Sequence, residues 1–503
     1  MAEPDQDTAL EALAAGRVAG MATGEVTRID THSAIIFLAG EQAYKVKRAV
    51  KFPYLDFSTL ALRQDYCRRE VELNRRTAPT LYDGVEPLVR DGDDWSLGGD
   101  GDPVEWVIVM RRFSQDHLFD AIAEAAKLDA ALLRRAVDMI ADFHHDAAPT
   151  PDAADLTWVV EENLEELRAS PALFPPAEVE PYAETSLALF ERLRPLLAER
   201  HRAGFVRHGH GDLHLHNICL LDGEPVLFDA IEFNDRLACA DVLYDFSFLL
   251  MDLVHRDLPA LANQALSRYV ADANTARALA ALNLFCSLRA AIRAKVGVPA
   301  LETATDQDAA KAEIAAYFAL ARKFMEPVAP RLVAVGGLSG TGKTTLAAAL
   351  APRLGGPLGA LHLRTDVIRK RLAGVADDET LPKESYTREA SEKVYAELMR
   401  LADAALSAGW PVVVDAVFLD AGERRAVADL AAKHGARFDG LWLTAPTGTL
   451  KQRVDARTGD ASDATSDVVE LQAGHAQPVD DWPHIDAGAG PDATAAAARE
   501  HLH

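Results

Sequence analysis

Gly337-Leu338-Ser339-Gly340-Thr341-Gly342-Lys343-Thr344 satisfies G-x-x-x-x-G-K-[ST] at every fixed position. The run before it, Arg331-Leu332-Val333-Ala334-Val335, reads as a buried strand. The run after it, Thr345-Leu346-Ala347-Ala348-Ala349-Leu350, reads as a helix. Glycines let the backbone wrap closely around phosphates, so that N–H groups and the helix N-terminus face negative charge. In this pattern Lys343 reaches the β/γ-phosphates and the Thr344 hydroxyl is placed for Mg²⁺. Gly337, Ser339, Gly340, Thr341, Gly342 and Thr345 supply the rest of the cradle. A Gly-rich turn without a ligand is the alternative, and the agreement of strand, loop, Lys-Thr and helix argues against it. The stretch implies a nucleoside triphosphate, ATP or GTP, without saying what is done with it.

Downstream, Val412-Val413-Val414-Asp415 and Gly440-Leu441-Trp442-Leu443-Thr444 read as further strands between helical runs. Such alternation predicts a parallel sheet covered by helices. Asp415, ending a buried strand, is placed to hold Mg²⁺ through water or to bind substrate. Leu363-Arg364-Thr365-Asp366-Val367-Ile368-Arg369 contains Asp-x-x-Arg, and Arg453 and Arg457 stand four residues apart, one face of a helix. Together these resemble the small P-loop kinases of the polynucleotide-kinase and zeta-toxin-like group, an AAA-type ATP-binding domain, over about residues 331–503. The resemblance implies Asp366 as the base facing an acceptor hydroxyl, Arg369 as a substrate contact, and Arg453 and Arg457 as lid arginines closing on the transferring phosphoryl group, with Ser462-Asp463-Ala464 in that lid. The competing structural reading makes Asp366 an N-cap with a surface Arg one turn later, and the arginine pair part of a salt-bridged surface helix.

Upstream, Glu326-Pro327-Val328-Ala329-Pro330 is a Pro-containing break and the expected domain boundary. Residues 1–20 read as an Ala-rich helix. Gly24–Ile29, Ser33–Leu38, Gln42–Lys47 and Trp106–Met110 read as strands, Leu60–Thr77 as a helix, and 118–197 as mostly helical. The segment His210-Gly211-Asp212-Leu213-His214-Leu215-His216-Asn217, followed by the strand Pro225–Asp229, carries a second constellation. An Asp, an Asn five residues on and an Asp after a strand suit phosphoryl transfer: one carboxylate orients the attacking hydroxyl, while an amide oxygen and a second carboxylate hold Mg²⁺. Positioning and charge neutralisation supply most of the acceleration in such chemistry.

These residues resemble the aminoglycoside phosphotransferase-like kinases, which share the protein-kinase-like fold, over about residues 20–325. The resemblance implies Asp212 as catalytic base, Asn217 and Asp229 as Mg²⁺ ligands, Lys45 as the strand lysine on the α/β-phosphates, Glu70 as its helix partner, and Met110 in the hinge near the adenine. Lys47 shares a strand face with Lys45; Tyr44-Lys45-Val46 better matches the family's pattern. The turn Thr31-His32-Ser33 lacks a G-x-G-x-x-G over the phosphates. His208, His210, His214 and His216 leave a zinc site as a minor alternative, with His210 expected to brace the loop. Asp235 and Asp245 are expected to cap or solvate helices, and Asp241 to support the loop.

The expected architecture is therefore α/β and α+β: a bilobal protein-kinase-like domain (1–325) joined to a P-loop NTPase with a parallel sheet (331–503). Among the 503 residues, the hydrophobic share of 49% and charged share of 26% are those of a globular chain. No apolar run looks long enough to span a bilayer, the acidic N-terminus lacks signal-peptide character, and four dispersed cysteines form no CxxC, so a cytoplasmic chain is expected. A net charge of −25 argues against extended nucleic-acid binding. The expectation is an ATP- and Mg²⁺-dependent phosphotransferase with two sites, acting on hydroxyls of small molecules or of a nucleic-acid end. One half as a nucleotide-binding regulator of the other, or a P-loop ATPase, are the alternatives.

Overall fold

Alternation along Ala34–Ala39 and Gln42–Lys47 decides how the N-terminal part packs. In the computed structural model, which describes residues 6–52, 55–302, 304–456 and 461–502, Ile35, Phe37, Tyr44, Val46, Val107 and Val109 share one buried cluster with Ala9, Leu10 and Leu13 of the helix Gln6–Ala14. Leu38, Ala43, Ile108 and Met110 point the other way and pack with Cys67 and Val71 of the helix Leu60–Asn74. Side chains alternate across a strand, so helices on both faces let this sheet bury both sets. The sheet has seven strands in the order Val18–Ala19, Asp94–Leu97, Tyr82–Asp91, Pro103–Arg111, Gln42–Lys47, Ala34–Ala39, Thr27–Asp30. Its pairings are antiparallel except for the first, between Val18–Ala19 and Asp94–Leu97.

Several expected boundaries move for local reasons. The N-terminal helix stops at Ala14, ahead of Gly16 at φ +62°. The hairpin Tyr82–Asp91 and Asp94–Leu97 has no counterpart among the expected strands; Pro87 interrupts its apolar pattern, as a proline in a strand does. Two small ribbons follow. Val206–His208 pairs antiparallel with Cys239–Asp241, and Ile218–Leu221 pairs antiparallel with Glu224–Leu227. The second ribbon turns at Asp222 (φ +55°) and Gly223 (φ +85°), the paired positive φ of a tight hairpin turn. Residues 209–217 and 228–229 are suspended between these ribbons.

By its contacts the described chain forms two units, 1–157 with 197–249 and 158–196 with 250–503. The second contains the helices Pro259–Tyr269, Ala273–Ala300 and Gln307–Phe324 together with a five-stranded parallel sheet. The sheet order is Leu361–Arg364, Val412–Asp415, Arg331–Gly337, Arg437–Thr444, His484–Asp486. Val412–Asp415 is buried throughout, as a central strand covered on both faces must be. Ala273–Ala300 is long and apolar enough to cross a membrane, contrary to the expectation that no segment would be; 78% of its most apolar stretch is buried inside the protein, as in a core helix. The Pro-containing break at 326–330 lies inside this second unit.

Candidate active sites

The first site grows from the strand Gln42–Lys47. Lys45 and Lys47 are on one face, and both reach Glu70 on the helix Leu60–Asn74: Lys45 Nζ at 2.7 Å from Oε1 and Lys47 Nζ at 2.6 Å from Oε2. Lys45 also contacts Asp229 at 2.5 Å, whereas Lys47 turns to Glu232 and lies 4.8 Å from the centre of the Phe57 ring. The preference for Lys45 thus has a geometric basis, since Lys45 pairs with Asp229 whereas Lys47 pairs with Glu232. Burial pushes the Lys45 ammonium down, but Asp229 and Glu70 outweigh it and hold it well above its ordinary range. Desolvation pushes Asp229 up, and Lys45 more than reverses this, leaving the carboxyl below the usual value. Glu232 goes the other way: burial, reinforced by Glu70, raises it against the pull of Lys47.

Asp229 follows the strand Glu224–Leu227 in a left-handed conformation, φ +61°, which a non-glycine residue adopts at a cost. Neighbours fix it there. The Asp229 N–H donates to the Tyr82 hydroxyl at 3.2 Å, and the Ala230 N–H donates to Asn74 Oδ1 at 2.8 Å. Asn217 Nδ2 donates to both Asp212 O (2.8 Å) and Asp212 Oδ2 (3.0 Å), so the Asp and Asn of the loop are locked together. His214 Nε2 lies 3.3 Å from Asp212 Oδ2.

Asp245 holds the loop, contrary to the capping and solvating role expected for it. It is buried and accepts from His210 N–H (2.7 Å) and Gly211 N–H (2.9 Å), with His144 Nε2 3.2 Å away. A Cβ on Gly209 would sit 2.4 Å from Asp245 Oδ2, which explains a glycine at that approach. Asp241 binds Arg200 through two hydrogen bonds of 2.6 and 2.8 Å beneath the ribbon. Asp235 is exposed and paired with Arg69, with Asn234 as the actual N-cap. His210 Nε2 donates to Phe228 O (2.9 Å) while Nδ1 accepts from Asp212 N–H (3.3 Å), a neutral ring whose pKa burial lowers. The zinc alternative loses its support, because His210, His214 and His216 turn to Phe228 O, Asp212 and Asp120. His208 comes together with Asp235 and Cys239, ligand-type atoms within 4.8 Å of one another, but Arg69 and Arg76 bring positive charge to the same place. Met110 ends in the buried cluster with Ile108, Phe113 and Phe228, one residue before the strand stops at Arg111.

Breaking the lysine–carboxylate cluster has a predictable cost. Lys47→Met leaves Glu232 buried without its cation, and loss of one partner of a buried pair costs about 3–5 kcal/mol. The expected result is a lower urea midpoint at unchanged slope, recovered in part by the double variant Lys47→Met/Glu232→Met.

The second site lies at the C-terminal ends of the parallel strands. Gly337 (φ +140°) and Gly340 (φ +83°) cannot carry a side chain: a Cβ would meet Leu443 O and Leu450 O, each at 2.7 Å. Gly342 (φ +88°) caps the helix Lys343–Leu350. Lys343 Nζ donates to Leu338 O (3.1 Å), Thr341 Oγ1 to Leu338 O (2.8 Å), and the Ser339 N–H to Gln472 Oε1 (2.8 Å). Thr344 Oγ1 donates to Asp415 Oδ2 at 2.5 Å, joining the two oxygen-bearing groups expected at Mg²⁺. His362 Nε2 and Arg364 Nε each lie 3.9 Å from the same oxygen.

Asp366 sits in the first turn of Thr365–Ala373, whose N-cap is Arg364, so the N-cap alternative does not apply. Burial and then Asp415 raise the Asp366 carboxyl, against Lys343, Ser462 and Arg364. For Asp415, burial also pushes upward, but His362, Lys343 and Arg364 overcome it and the net shift is down. Arg369 is half-buried rather than a surface residue; it donates to Ser385 O (2.7 Å) and stacks 4.9 Å from the Tyr386 ring centre. Arg453 is in the last turn of Thr447–Asp455 and donates to Ala487 O (2.9 Å). It lines a cavity of about 170 Å³ with Thr341, Gly342, Thr345, Leu346, Pro491 and Thr494. Arg457 lies outside the described residues. Asp463 accepts from Lys370 Nζ, Leu381 N–H and Tyr386 Oη, tying 461–465 to the helix that carries Asp366.

Residues that sequence reasoning missed or undervalued are Asp245, Glu232, Tyr82, His362 and Arg364. Glu232, Arg364 and His362 stand within four residues of the recognised Asp229 and Asp366 and were within reach of the local pattern; Asp245 and Tyr82 enter from distant segments.

A kinase-like sheet with a bound Asp/Asn loop, and a P-loop sheet with its Lys-Thr and Asp, define a phosphotransferase-class, nucleotide-binding protein. Residues 94–282 match the phosphotransferase enzyme family and residues 332–479 match the AAA domain. The chain is 31% identical, over 92% of its length and 92% of theirs, to uncharacterized proteins of Mycobacterium tuberculosis (strain H37Rv) and Mycobacterium bovis. It belongs to the family of these mycobacterial proteins, and it is a kinase. Among solved structures it is similar to a choline/ethanolamine kinase family protein from Mesorhizobium loti (16% identity, 64% of this chain and 95% of that one, TM-score 0.42). It is also similar to a sugar kinase from Janibacter sp. HTCC2649 (23% identity, 34% and 94%, TM-score 0.27).

Proposed function

We propose that the chain is a two-site kinase, with functional domains 1–325 and 331–503, each transferring the γ-phosphoryl group of ATP to a hydroxyl of a small molecule. The observation that carries this is that both sites pair a base-type carboxylate with a separate oxygen-donor set: Asp212 with Asn217 and Asp229, and Asp366 with Thr344 and Asp415. Hard oxygen donors suit Mg²⁺, which when bound would neutralise phosphate charge. In each site the acceptor oxygen attacks the γ-phosphorus, its proton passes to Asp212 or Asp366, and the bond to the β–γ bridging oxygen breaks to release ADP. Lys45, oriented by Glu70, takes the α/β-phosphates of the first site; Lys343 takes the β/γ-phosphates of the second.

The opposed shifts of Asp366 and Asp415 favour the division of labour in the second site, because two carboxylates pushed apart serve different roles. Arg453 acts as a lid arginine on the transferring phosphoryl group, a role supported by its place in the cavity lined by the P-loop residues Thr341, Gly342 and Thr345. Arg369 acts on the acceptor side through its stack with Tyr386. Met110 borders the nucleobase of the first site. The net charge of −25 supports small molecules over a nucleic-acid end. Four free cysteines, three of them buried, support a reducing, cytoplasmic setting.

The test is ATP-dependent phosphorylation of a hydroxyl-compound panel by the full chain and by Asp212→Ala and Lys343→Ala. Two activities, each removed by one variant, are expected. Transfer that survives both variants refutes the proposal, and one variant removing everything makes the other site regulatory or sequential.

A further inference from the structure

The strand Leu361–Arg364, which leads directly to Asp366, is an edge strand of the parallel sheet. Among the described residues its outer side faces no sixth strand. The His362 N–H donates to Ser267 Oγ at 3.0 Å, on the helix Pro259–Tyr269 from the N-terminal side of the Pro-containing break. Asn263, buried on the same helix, donates to Leu358 O (2.7 Å) and Ala360 O (2.8 Å), the carbonyls that frame Gly359. That geometry needs the glycine: Gly359 has φ +72°, and a Cβ there would meet Ala351 O at 2.3 Å. Farther along, Arg371 on the Asp366 helix donates to Arg268 O (2.8 Å) and Val270 O (3.2 Å), while Arg268 pairs with Asp377 at 2.8 Å. The hydrogen bonds therefore bracket Asp366 and Arg369 from both sides, before the strand and after the turn of helix that carries them. All these residues lie in one contact unit.

We infer that the helix Pro259–Tyr269 is a positioning element of the P-loop site: Asn263 and Ser267 fix the acceptor-side strand, and Arg268 with Arg371 fixes the helix bearing Asp366. The hydrogen bonds from Pro259–Tyr269 fall on the acceptor-side strand and helix, while the strand Arg331–Gly337 that leads into the P-loop pairs with Val412–Asp415 and Arg437–Thr444. Residues assigned by sequence to the first kinase domain thereby set the geometry of the second. This rests on the reading of Asp366 as the acceptor-side base.

The experiment uses the full chain with Asp212→Ala to silence the first site. The probe is ATP with Mg²⁺, and water serves as acceptor. Hydrolysis lost on Lys343→Ala defines the second site. Displacing a reacting group by about 1 Å from a distant mutation can cost about 100-fold. Asn263→Leu and Arg371→Met are accordingly expected to lower kcat at least about tenfold while KM for ATP stays within about twofold. Unchanged kcat in both variants overturns the inference. So does a parallel loss of kcat, ATP affinity and thermal midpoint, which marks a purely structural role. Should Asn263→Leu fail to fold, Arg371→Met and Arg268→Gln decide the matter on the same readings. Asp366→Asn separates the two ideas: a fall in kcat with that variant, but not with Asn263→Leu or Arg371→Met, sinks the inference alone, whereas no fall with Asp366→Asn sinks the reading of the base and the inference with it.

Discussion

Asp245→Ala is expected to lower the unfolding midpoint of the unit formed by 1–157 and 197–249 by about 6–20 °C, and phosphoryl transfer at the first site by about 100-fold or more. The carboxylate accepts from the His210 and Gly211 N–H groups and faces His144, all in buried surroundings. Removing it strands two buried backbone donors, and deleting one side of a buried charged network costs about 3–5 kcal/mol. A unit of this size loses about 2–4 °C per kcal/mol, which gives the range stated. The activity loss has a separate cause. His210 is held at one end by the Asp245 contact to its N–H and at the other by Phe228 O, and its Nδ1 accepts from Asp212 N–H. Releasing it frees Asp212 to drift from Asn217. Asp245→Asn keeps one acceptor oxygen of the right shape and is expected to fall between wild type and Asp245→Ala in both measurements. A differential scanning calorimetry midpoint for Asp245→Ala equal to that of wild type would show that the loop is braced elsewhere.

The parts of the chain legible beforehand share one property: their chemistry is local. Gly337 to Thr344 announces a phosphate cradle because turn, helix start and cation fall within eight residues. The strand Gln42–Lys47 was readable to the residue, since Tyr44-Lys45-Val46-Lys47 alternates apolar and charged residues and Gly40 turns the chain before it. Asp212 and Asn217 were readable for the same reason, five residues apart in one loop. The hairpin Tyr82–Asp91 and Asp94–Leu97 was not, because Pro87 breaks the pattern that the partner strand at Trp106 repairs.

What stayed hidden depends on long-range burial. Asp245 looks like an ordinary first-turn acid on the helix Val242–His255; only the approach of Gly209 and His210 turns it into a brace. The local surroundings of Arg453 are hidden for the same reason: its guanidinium donates to Ala487 O, which belongs to a segment more than thirty residues later. The break at Pro327 and Pro330 was a sound signal of irregular backbone, but backbone irregularity does not reveal which helices cover an exposed sheet edge. Asn263 is the case in point: nothing near it in sequence distinguishes it from a surface asparagine, and its worth comes from two carbonyls about a hundred positions away.

Asp366→Asn is expected to stabilise the protein slightly at neutral pH while lowering transfer at the second site by about 10²–10⁴-fold, the usual worth of a general base. The two effects have one origin. Burial and the neighbouring Asp415 raise the folded-state pKa of Asp366 above its ordinary 3.8. For a carboxyl shifted upward, the folded state binds the proton more tightly than the unfolded state does. Its favourable contribution is fully present below the unfolded value and is lost as pH rises through the folded one, leaving a net cost at neutral pH. Asparagine never ionises and escapes that cost. Catalysis runs the opposite way, because only the deprotonated carboxylate accepts the proton of the acceptor hydroxyl, so wild-type kcat at this site falls as pH drops through the raised pKa. Asp415, whose pKa is lowered, stays charged across the same interval and does not shape the acid limb. Chemical denaturation of both proteins at neutral pH and near pH 4, with a pH–rate profile of the second site, reads all of this. The gain in stability of Asp366→Asn should shrink toward zero in acid, and an acid limb that persists unchanged in a variant lacking the carboxylate would assign it to another group.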